Sequence, residues 1–247
     1  MAEIIVQAKT EQLTISNGET VFIFDNLAEN KVAKLKLDIG QDCRVKYLFL
    51  SAGESLVEAE RDITIGPRTV FESYQAYLGT TNRLMNFHNH INEQVNINQR
   101  AIFFLKDKQS LRVNDIHTFL QPKSSGTFRA EGLLDDAAQI EYYSQVNIKP
   151  EAQLTDCRID LKLNLLGKEA RGLMQPSLFI AANQVQAGHG ASTFNLDQDQ
   201  LFYFNARGVT EIQAKMLAVK AASDRFIKAI DHKLGQKTIR DIIDNIL

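Results

Sequence analysis

Apolar and polar residues alternate in short runs from about residue 3 to residue 204. Thr20 to Phe24 and Ile140 to Ile148 are clear examples, and turn signals such as Asn17-Gly18 separate the runs. Because successive side chains of a strand point to opposite faces, this period of two predicts β-strands with one buried face. We therefore expect this part of the chain to be nearly all β.

Several β architectures fit the pattern. Short strands at modest spacing are typical of a sandwich, a barrel or a β-helix, so the strand pattern leaves all three open. Residues 126–133 and 142–150 slightly favour the β-helix, since their apolar positions alternate toward one side before each turn. We interpret these two segments as neighbouring rungs of a solenoid.

Helical spacing of apolar residues replaces the alternation in the C-terminal part of the chain. Thr210 and Gln213 have the spacing of a capping box, which predicts a helix start, and Gly235 is a predicted helix stop. We divide the chain into a β-helix core domain of residues 1–205 and a helical region of residues 206–247. The apolar stripes of the helical region are Ile212, Met216, Leu217 and Val219, then Phe226, Ile227, Ile230 and Leu234, then Ile239, Ile242, Ile243 and Ile246.

The composition argues against two kinds of partner. Of the 247 residues 44% are hydrophobic, which is enough to bury a substantial core without disulfides. Lys and Arg total 28 against 30 for Asp and Glu, so a net charge of -2 offers no broad cationic surface to nucleic acid or anionic lipid. The first residues lack the features of a secretory signal. We expect a cytoplasmic protein, or one of an organelle stroma if a transit peptide has been removed.

Three segments in the last third of the chain resemble a known family. Residues 174–192, MQPSLFIAANQVQAGHGAS, are similar to the core signature of the SufB/SufD family, in which a Pro-x-Leu-x-Ile strand leads to His-Gly-Ala-Thr. Residues 201–208, LFYFNARG, resemble the family's Leu-Phe-Tyr-Leu-x-Ser-Arg-Gly. Asn164 to Leu166, with Ala170, fit the family's approach to that strand. The specific resemblance covers roughly residues 160–220.

The resemblance implies a fold, partners and a role. The fold would be a right-handed parallel β-helix with a C-terminal helical region that docks on the ABC-type ATPase SufC. The chain would be a non-enzymatic subunit of the SUF iron-sulfur cluster assembly machinery that pairs with a SufB-type scaffold. Its His-Gly-Ala form is closer to SufD, because SufB usually has a charged residue where Gly190 stands. The chain resembles a short form without the N-terminal helical region of larger members.

His189 is the main candidate for a site that handles iron or a cluster. A neutral imidazole is a good iron ligand, and the flanking Gly188 and Gly190 would let another backbone approach a loop here. A family cysteine often lies two residues before the histidine, where this chain has Ala187. We therefore expect no tightly bound cofactor, and at most iron or an iron-sulfur cluster passing transiently through a subunit interface.

The remaining cysteines and histidines are weaker candidates. Cys157 and Cys43 have no paired cysteine nearby, so each is expected to be a buried, inert thiol. His88 and His90 would share one face of a strand and could bind a metal if a third ligand were added, but the sequence shows none. His117 and His232 are expected to be ordinary core or surface histidines.

The apolar stripes of the helical region are the candidate docking surface. Helices beyond a solenoid have little core to enter except by capping it or by binding a partner. Arg207 and Gly208 are expected to shape the exit from the last strand into these helices. The residues that we expect to contact a SufC-like ATPase are Ile212, Met216, Phe226 and Ile230.

Two other functions stay open beside the SufD-like subunit. One is a homodimeric, SufB-like scaffold that itself carries a nascent cluster. The other is a β-helix enzyme acting on polysaccharide, which needs paired carboxylates on one face. Asp135 and Asp136 form the compact acidic pair of this sequence, and a solvated turn explains them better. ATP chemistry would belong to the partner, because the chain has no phosphate-binding loop motif.

Overall fold

Two stacked parallel sheets form most of the molecule. The computed structural model describes residues 1–7, 10–53, 58–79, 83–196, 202 and 204–246. Successive strands alternate between the sheets, and every strand pairs in parallel with the strand two places along the chain. This arrangement is a parallel β-helix.

The strands divide into odd-numbered and even-numbered sets. The eight-stranded sheet contains, in spatial order, β1 (Ala2–Ile5), β3 (Thr20–Asn26), β5 (Arg44–Ala52), β7 (Val70–Leu78), β9 (Asn96–Leu105), β11 (Ser125–Leu134), β13 (Thr155–Leu165) and β15 (Val185–Asn195). The seven-stranded sheet contains, in spatial order, β14 (Arg171–Ile180), β12 (Gln139–Ile148), β10 (Ser110–Phe119), β8 (Arg83–Ile91), β6 (Glu58–Ile65), β4 (Lys34–Ile39) and β2 (Gln12–Ile15).

The two segments that we interpreted as neighbouring rungs are not stacked on each other. Residues 126–133 lie in β11 and residues 142–148 lie in β12, which belong to opposite sheets. The strand β11 stacks instead on β9 and β13, with Ser125 opposite Asn96 and Asp156. Both segments point their apolar residues to one side because the two sheets enclose the same core. The β-helix is therefore confirmed, but this detail of its register was wrong.

Aromatic side chains fill much of the space between the sheets. Phe49 lies with its ring centroid 5.6 Å from that of Tyr77 and 5.1 Å from that of Phe87. Phe103 in turn lies 4.8 Å from Tyr77 and 5.0 Å from Tyr142. Burying one such side chain contributes roughly 1.5–3 kcal/mol, and edge-to-face or offset contacts add to this. The alternation seen in the sequence thus serves a single continuous core.

A buried ion pair joins the two sheets inside this core. Arg61 of β6 donates from Nε to Oδ2 of Asp25 in β3 at 2.6 Å, and neither side chain is more than 1% exposed. The hydroxyl of Tyr47 donates to the same carboxylate oxygen at 2.6 Å. Burial, reinforced by the charge of Asp25, raises the pKa of Tyr47 well above its usual value, so the phenol keeps its proton. The carboxylate is therefore satisfied from both sheets.

Three helices with defined bounds accompany the strands. They are α1 (Leu27–Asn30), α2 (Glu211–Ala229) and α3 (Lys233–Ile246). The predicted capping box is confirmed, since Gln213 N–H donates to Thr210 Oγ1 at 3.3 Å and Thr210 N–H donates to Gln213 Oε1 at 2.9 Å. None of the described helices is long and apolar enough to cross a membrane.

Gly235 does not end a helix, contrary to our expectation. The chain leaves α2 at Ala229, and α3 runs through Gly235. A Cβ at Gly235 would lie 2.7 Å from Cδ2 of Leu48 and 3.2 Å from Cγ2 of Ile230. Glycine is needed here because α3 approaches the sheet closely, which is a tertiary reason that local sequence does not reveal.

The helices α2 and α3 share a second hydrophobic core with the outer face of the eight-stranded sheet. Tyr74 on that face donates to the carbonyl of Ala229 at 2.7 Å, and Lys46 lies 3.0 Å from Asp231 in the link between the helices. The helices therefore cover the sheet rather than projecting from it. The principal buried members are Phe22, Phe24, Leu48, Leu50, Ile102 and Phe104 of the sheet and Val219, Ala222, Phe226, Ile227, Ile230, Ile239 and Ile243 of the helical region.

The buried ion pair provides a test of the fold. We expect Arg61→Met to lower the free energy of unfolding by roughly 3–5 kcal/mol, because it leaves the Asp25 carboxylate buried without its cation. Adding Asp25→Leu should recover part of the loss, since no buried charge then remains. Urea unfolding of the three proteins measures both effects.

Arg68→Met is the matched control. Arg68 makes a two-pronged pair with Asp42, both N–O distances being 2.7 Å, but both side chains are nearly half exposed. Water screens this pair, so its loss should leave stability almost unchanged. Equal losses in the Arg61 and Arg68 variants would contradict the role given to the buried pair.

Candidate functional site at the last turn of the β-helix

His189 lies on the last strand of the eight-stranded sheet, not in a loop as we expected. It belongs to β15 and pairs in register with Ile159 of β13, which is completely buried. Residues in register in stacked parallel strands point the same way, so the imidazole stands on the core-facing row of the last turn. It is exposed because no further turn of the described chain covers that row.

The two glycines beside His189 suggested a loop, but they lie in a regular strand. Neither Gly188 nor Gly190 has a positive φ, and both continue the extended strand. They lie on the outer face of the sheet, beside Arg158 and Asp160 of the preceding turn. Glycine is tolerated in such a strand where neighbouring long side chains occupy the space above it.

The last turn also exposes apolar surface on β14. Its core-facing row begins with the buried Met174 and ends with Ile180, which is 46% exposed. On its outer side Phe179 is 58% exposed. A β-helix that ends on such a row leaves apolar area in water unless another chain covers it.

Among the described strands, β15 pairs only with β13, so the other edge of β15 has no partner strand. Leu196 N–H donates to the carbonyl of Leu165 at 3.0 Å, which fixes the alternation of hydrogen bonds along the strand. By that alternation the even-numbered residues face β13, and the N–H and C=O groups of His189 and Ala191 face outward. A second chain could add a strand to this edge, as in other cases of β-augmentation.

The two cysteines are buried thiols, as expected. Cys157 lies one turn below Ala187, in register with it, and burial raises the pKa of Cys157 to about 11. It is therefore protonated near neutral pH and is a poor iron ligand in this state. Cys43 Sγ donates to the carbonyl of Ser16 at 3.1 Å in the core near β5.

His88 and His90 share the outer face of the seven-stranded sheet, as predicted. Nε2 of His90 lies 3.0 Å from Oδ1 of Asp62, which pairs in register with His88 from the preceding turn. Sequence reasoning missed this carboxylate because it is 28 residues away from its partner and becomes a neighbour only through the coiling of the chain. Among the residues that the structure describes, no three such side chains are arranged to hold a metal ion.

His117 and His232 serve packing. His117 is completely buried, stacks on Phe128 with centroids 3.7 Å apart, and places Nε2 3.3 Å from Oδ1 of Asp115. His232 stacks on Phe22 at 3.6 Å, between the two C-terminal helices. Neither lies beside His189 in the last turn.

The structure separates the four predicted docking residues into two pairs. Ile212 and Met216 are 71% and 43% exposed on α2. Phe226 and Ile230 are buried against the eight-stranded sheet, so a partner would reach them only if the helices left the sheet. The exposed pair continues into Leu217, which is 57% exposed. The docking role stays a prediction for this exposed stripe.

The remaining candidates lie in turns. Gly208 has a φ of 78°, which suits its place before α2, and Arg207 precedes it there. Asp135 and Asp136 lie in the turn between β11 and β12. Asp135 is 2.7 Å from Nζ of Lys215 on α2 and so ties this turn to the helix.

Comparison with known proteins agrees with the resemblance of residues 174–192. The family model described as "SUF system FeS cluster assembly, SufBD core domain" matches residues 3–222. The iron-sulfur cluster assembly SufBD family protein slr0076 of Synechocystis is 24% identical over 211 residues, which is 83% of this chain and 46% of that protein. The match to the iron-sulfur cluster assembly protein SufD of Escherichia coli is 27% identical over 111 residues, 44% of this chain and 26% of that protein.

A plant relative extends the comparison. Protein ABCI7, chloroplastic, of Arabidopsis thaliana is 28% identical over 163 residues, 66% of this chain and 30% of that protein. The chain thus spans less than half the length of these curated relatives. The family match covers the β-helix, the last turn with His189 and the first part of α2. The chain therefore belongs to the SufBD core family of the SUF iron-sulfur cluster assembly system.

Proposed function

We propose that the chain is a SufD-like, non-catalytic subunit that pairs with a SufB-type scaffold through its last turn. The observation that carries this proposal is the end of the β-helix, where two strand edges that no described residue pairs, the exposed Phe179 and Ile180, and His189 lie together. Strand addition at these edges would satisfy backbone groups and cover apolar area in one step. The His-Gly-Ala form at Gly190 and the relative named SufD support the SufD-like role.

Iron or a nascent cluster is the cargo in this proposal, not a resident cofactor. An interface built on β15 would enclose the His189 imidazole and remove it from water. Its nitrogen could then share a metal ligand set with side chains of the partner, which would supply the thiolates that Cys157 does not. We place this step in the cytoplasm or, as the name of the plant relative suggests, in an organelle stroma.

The exposed stripe of α2 is the proposed contact for a SufC-type ATPase. Ile212, Met216 and Leu217 lie within two turns of the helix start, on the part of α2 that does not face the sheet. An exposed apolar stripe on a fixed helix is suited to a hydrophobic groove of a partner. Because the rest of α2 is held by the second core, movement imposed at this stripe would reach the β-helix directly.

A homodimer is a second candidate for the same surface. The free edge of β15 is 11 residues long, and two copies could pair their edges around a two-fold axis. Sedimentation of the isolated chain and of its mixture with a SufB-type subunit separates the two assemblies. A mixed dimer that displaces the homodimer supports the SufD-like role.

Ala191→Pro tests the edge. Its N–H faces outward, so proline should leave the β13 pairing intact and change the free energy of unfolding by no more than about 1 kcal/mol. We expect association with the partner subunit to weaken at least roughly tenfold, because proline removes a donor and blocks a strand. Ala191→Thr, which keeps the N–H, is the control. Equal affinity of both variants in analytical ultracentrifugation would show that this edge is not the interface.

His189→Ala tests the proposed cargo role. The exposed side chain contributes little buried area, so we expect a stability loss of at most about 1 kcal/mol. Activity of an iron-sulfur enzyme in a complemented deletion strain should nevertheless fall, while the partners still copurify. His90→Ala is the control, since His90 is also partly exposed but lies on the opposite sheet. His117 is unsuitable as a control because its side chain is buried, so its replacement would itself destabilise the fold. Full complementation by His189→Ala would remove the chemical role.

Ile212→Asp combined with Met216→Asp tests the ATPase contact. A charge on the exposed stripe should weaken binding of a SufC-type ATPase at least roughly tenfold without unfolding the chain. Point substitutions are preferred to deletion of the helices, which would uncover Phe22 and Leu48. Leu154→Asp, at a residue 55% exposed in a distant turn, is the control. Unchanged binding of the double variant in calorimetry would place the ATPase elsewhere.

A further inference from the structure

A cationic cleft lies between α2 and the outer face of the eight-stranded sheet. Its volume is about 470 Å³, which is within the range of small-molecule sites, and strands β9, β11, β13 and β15 form its floor. The chain as a whole carries a net charge of -2, so a local excess of cations is not a general property of its surface. The charged side chains that line the cleft are Arg100, Arg129, Lys162 and Arg225, with Glu131 and Asp160.

Two arginines lie in register on neighbouring strands of the cleft floor. Arg100 and Arg129 are in register, on strands about 4.8 Å apart, and like charges in this relation destabilise a sheet. Asp160 is the next residue in the same row, but its Oδ2 is 3.9 Å from Nε of Arg129. Asp160 is held more closely by Arg158, whose Nε lies 2.8 Å from Oδ1. One carboxylate is therefore shared between two guanidinium groups, and Arg100 adds a second positive charge to the row of Arg129 and Asp160.

The cations stand above the carboxylates. Glu131 is contacted by Arg225 at 3.0 Å and by Lys162 at 3.3 Å, yet its side chain is 22% exposed while theirs are 58% and 51% exposed. The same order holds in the next row, where the side chain of Asp160 is 34% exposed and that of Arg129 is 49% exposed. A ligand in the cleft would therefore meet more of the cationic side chains than of the two carboxylates.

A glycine lies at the β15 side of the cleft. A Cβ at Gly190 would lie 3.5 Å from Oδ1 of Asp160 and 3.9 Å from Nη2 of Arg158. A longer side chain at this position would therefore lie against Asp160, and glycine leaves this side of the cleft open.

We propose that this cleft binds a small anion that carries two or more phosphate groups. Guanidinium groups bind phosphate oxygens through two parallel hydrogen bonds, and two arginines in register on adjacent strands place two such groups beside one cleft. A polyphosphate chain would neutralise the like charges of Arg100 and Arg129, which offers a reason for keeping that unfavourable pair in the sheet. The inference does not depend on the pairing or docking surfaces proposed above.

Calorimetry on the full chain, without partners, tests the proposal with inorganic pyrophosphate and with ADP at fixed low salt. We expect pyrophosphate to bind more tightly than about 1 mM, and Arg129→Gln to weaken binding at least roughly tenfold. Arg100→Gln should weaken binding similarly while leaving the Tm equal or higher, because it relieves the like-charge contact. ADP as tight as pyrophosphate identifies the phosphates alone as the ligand, and tighter ADP identifies a nucleotide.

Arg112→Gln is the matched control. It removes the same charge from a 56% exposed arginine on the opposite sheet, so it should leave pyrophosphate binding unchanged. An equal loss in this variant would reduce the effect to general electrostatics and overturn the proposal. The proposal would also be overturned if neither pyrophosphate nor ADP bound the unaltered chain. Loss of binding to an acidic protein in the Arg100→Gln variant, without any phosphate binding, would assign the cleft to that protein instead. Either failure would leave the subunit pairing untouched, since that is measured with the partner present.

Discussion

A parallel β-helix satisfies its backbone only by stacking one turn on the next, and this constraint governs the whole molecule. Each end of the stack must expose a row of N–H and C=O groups. The two ends of this chain differ: β1 and β2 have four residues each, whereas β14 and β15 have 10 and 11. Short edge strands protect a sheet from unwanted pairing, and long ones invite it. The long end is also where His189 and the exposed apolar row lie, which makes it the natural place for a partner.

The remainder of the structure holds that end in place. The pair between Asp25 and Arg61 ties the two sheets together at the first turns, and the helices α2 and α3 bind the outer face of the eight-stranded sheet along much of its length. As a result the β-helix and the C-terminal helices form one packed body. Contacts made at the exposed stripe of α2 and contacts made at β15 would act on the same body, which suits the proposed position between an ATPase and a scaffold.

Sequence reasoning succeeded where the deciding interactions are local. The alternation of residues 20–24 and 140–148 predicted strands, and Thr210 with Gln213 predicted a helix start. Sequence reasoning failed where contacts between distant residues are decisive. Gly235 lies inside a helix because that helix packs closely against Leu48, and His189 lies on a strand because β15 pairs with β13. The cationic cleft could not be predicted either, because Arg100 and Arg129 become neighbours only through the register of the stacked turns, and Arg225 reaches them only through the packing of α2 on the sheet.

The central claim is that this chain works as a subunit whose last turn pairs with a second SufBD-type chain. The most direct test is hydrogen exchange of the chain alone and in a complex purified from native cells, followed by mass spectrometry. We predict that the complex contains a SufB-type scaffold and a SufC-type ATPase, and that residues 185–195 gain the largest protection on assembly. A chain recovered without such partners, or a complex in which β15 exchanges as fast as in the isolated chain, would contradict this account.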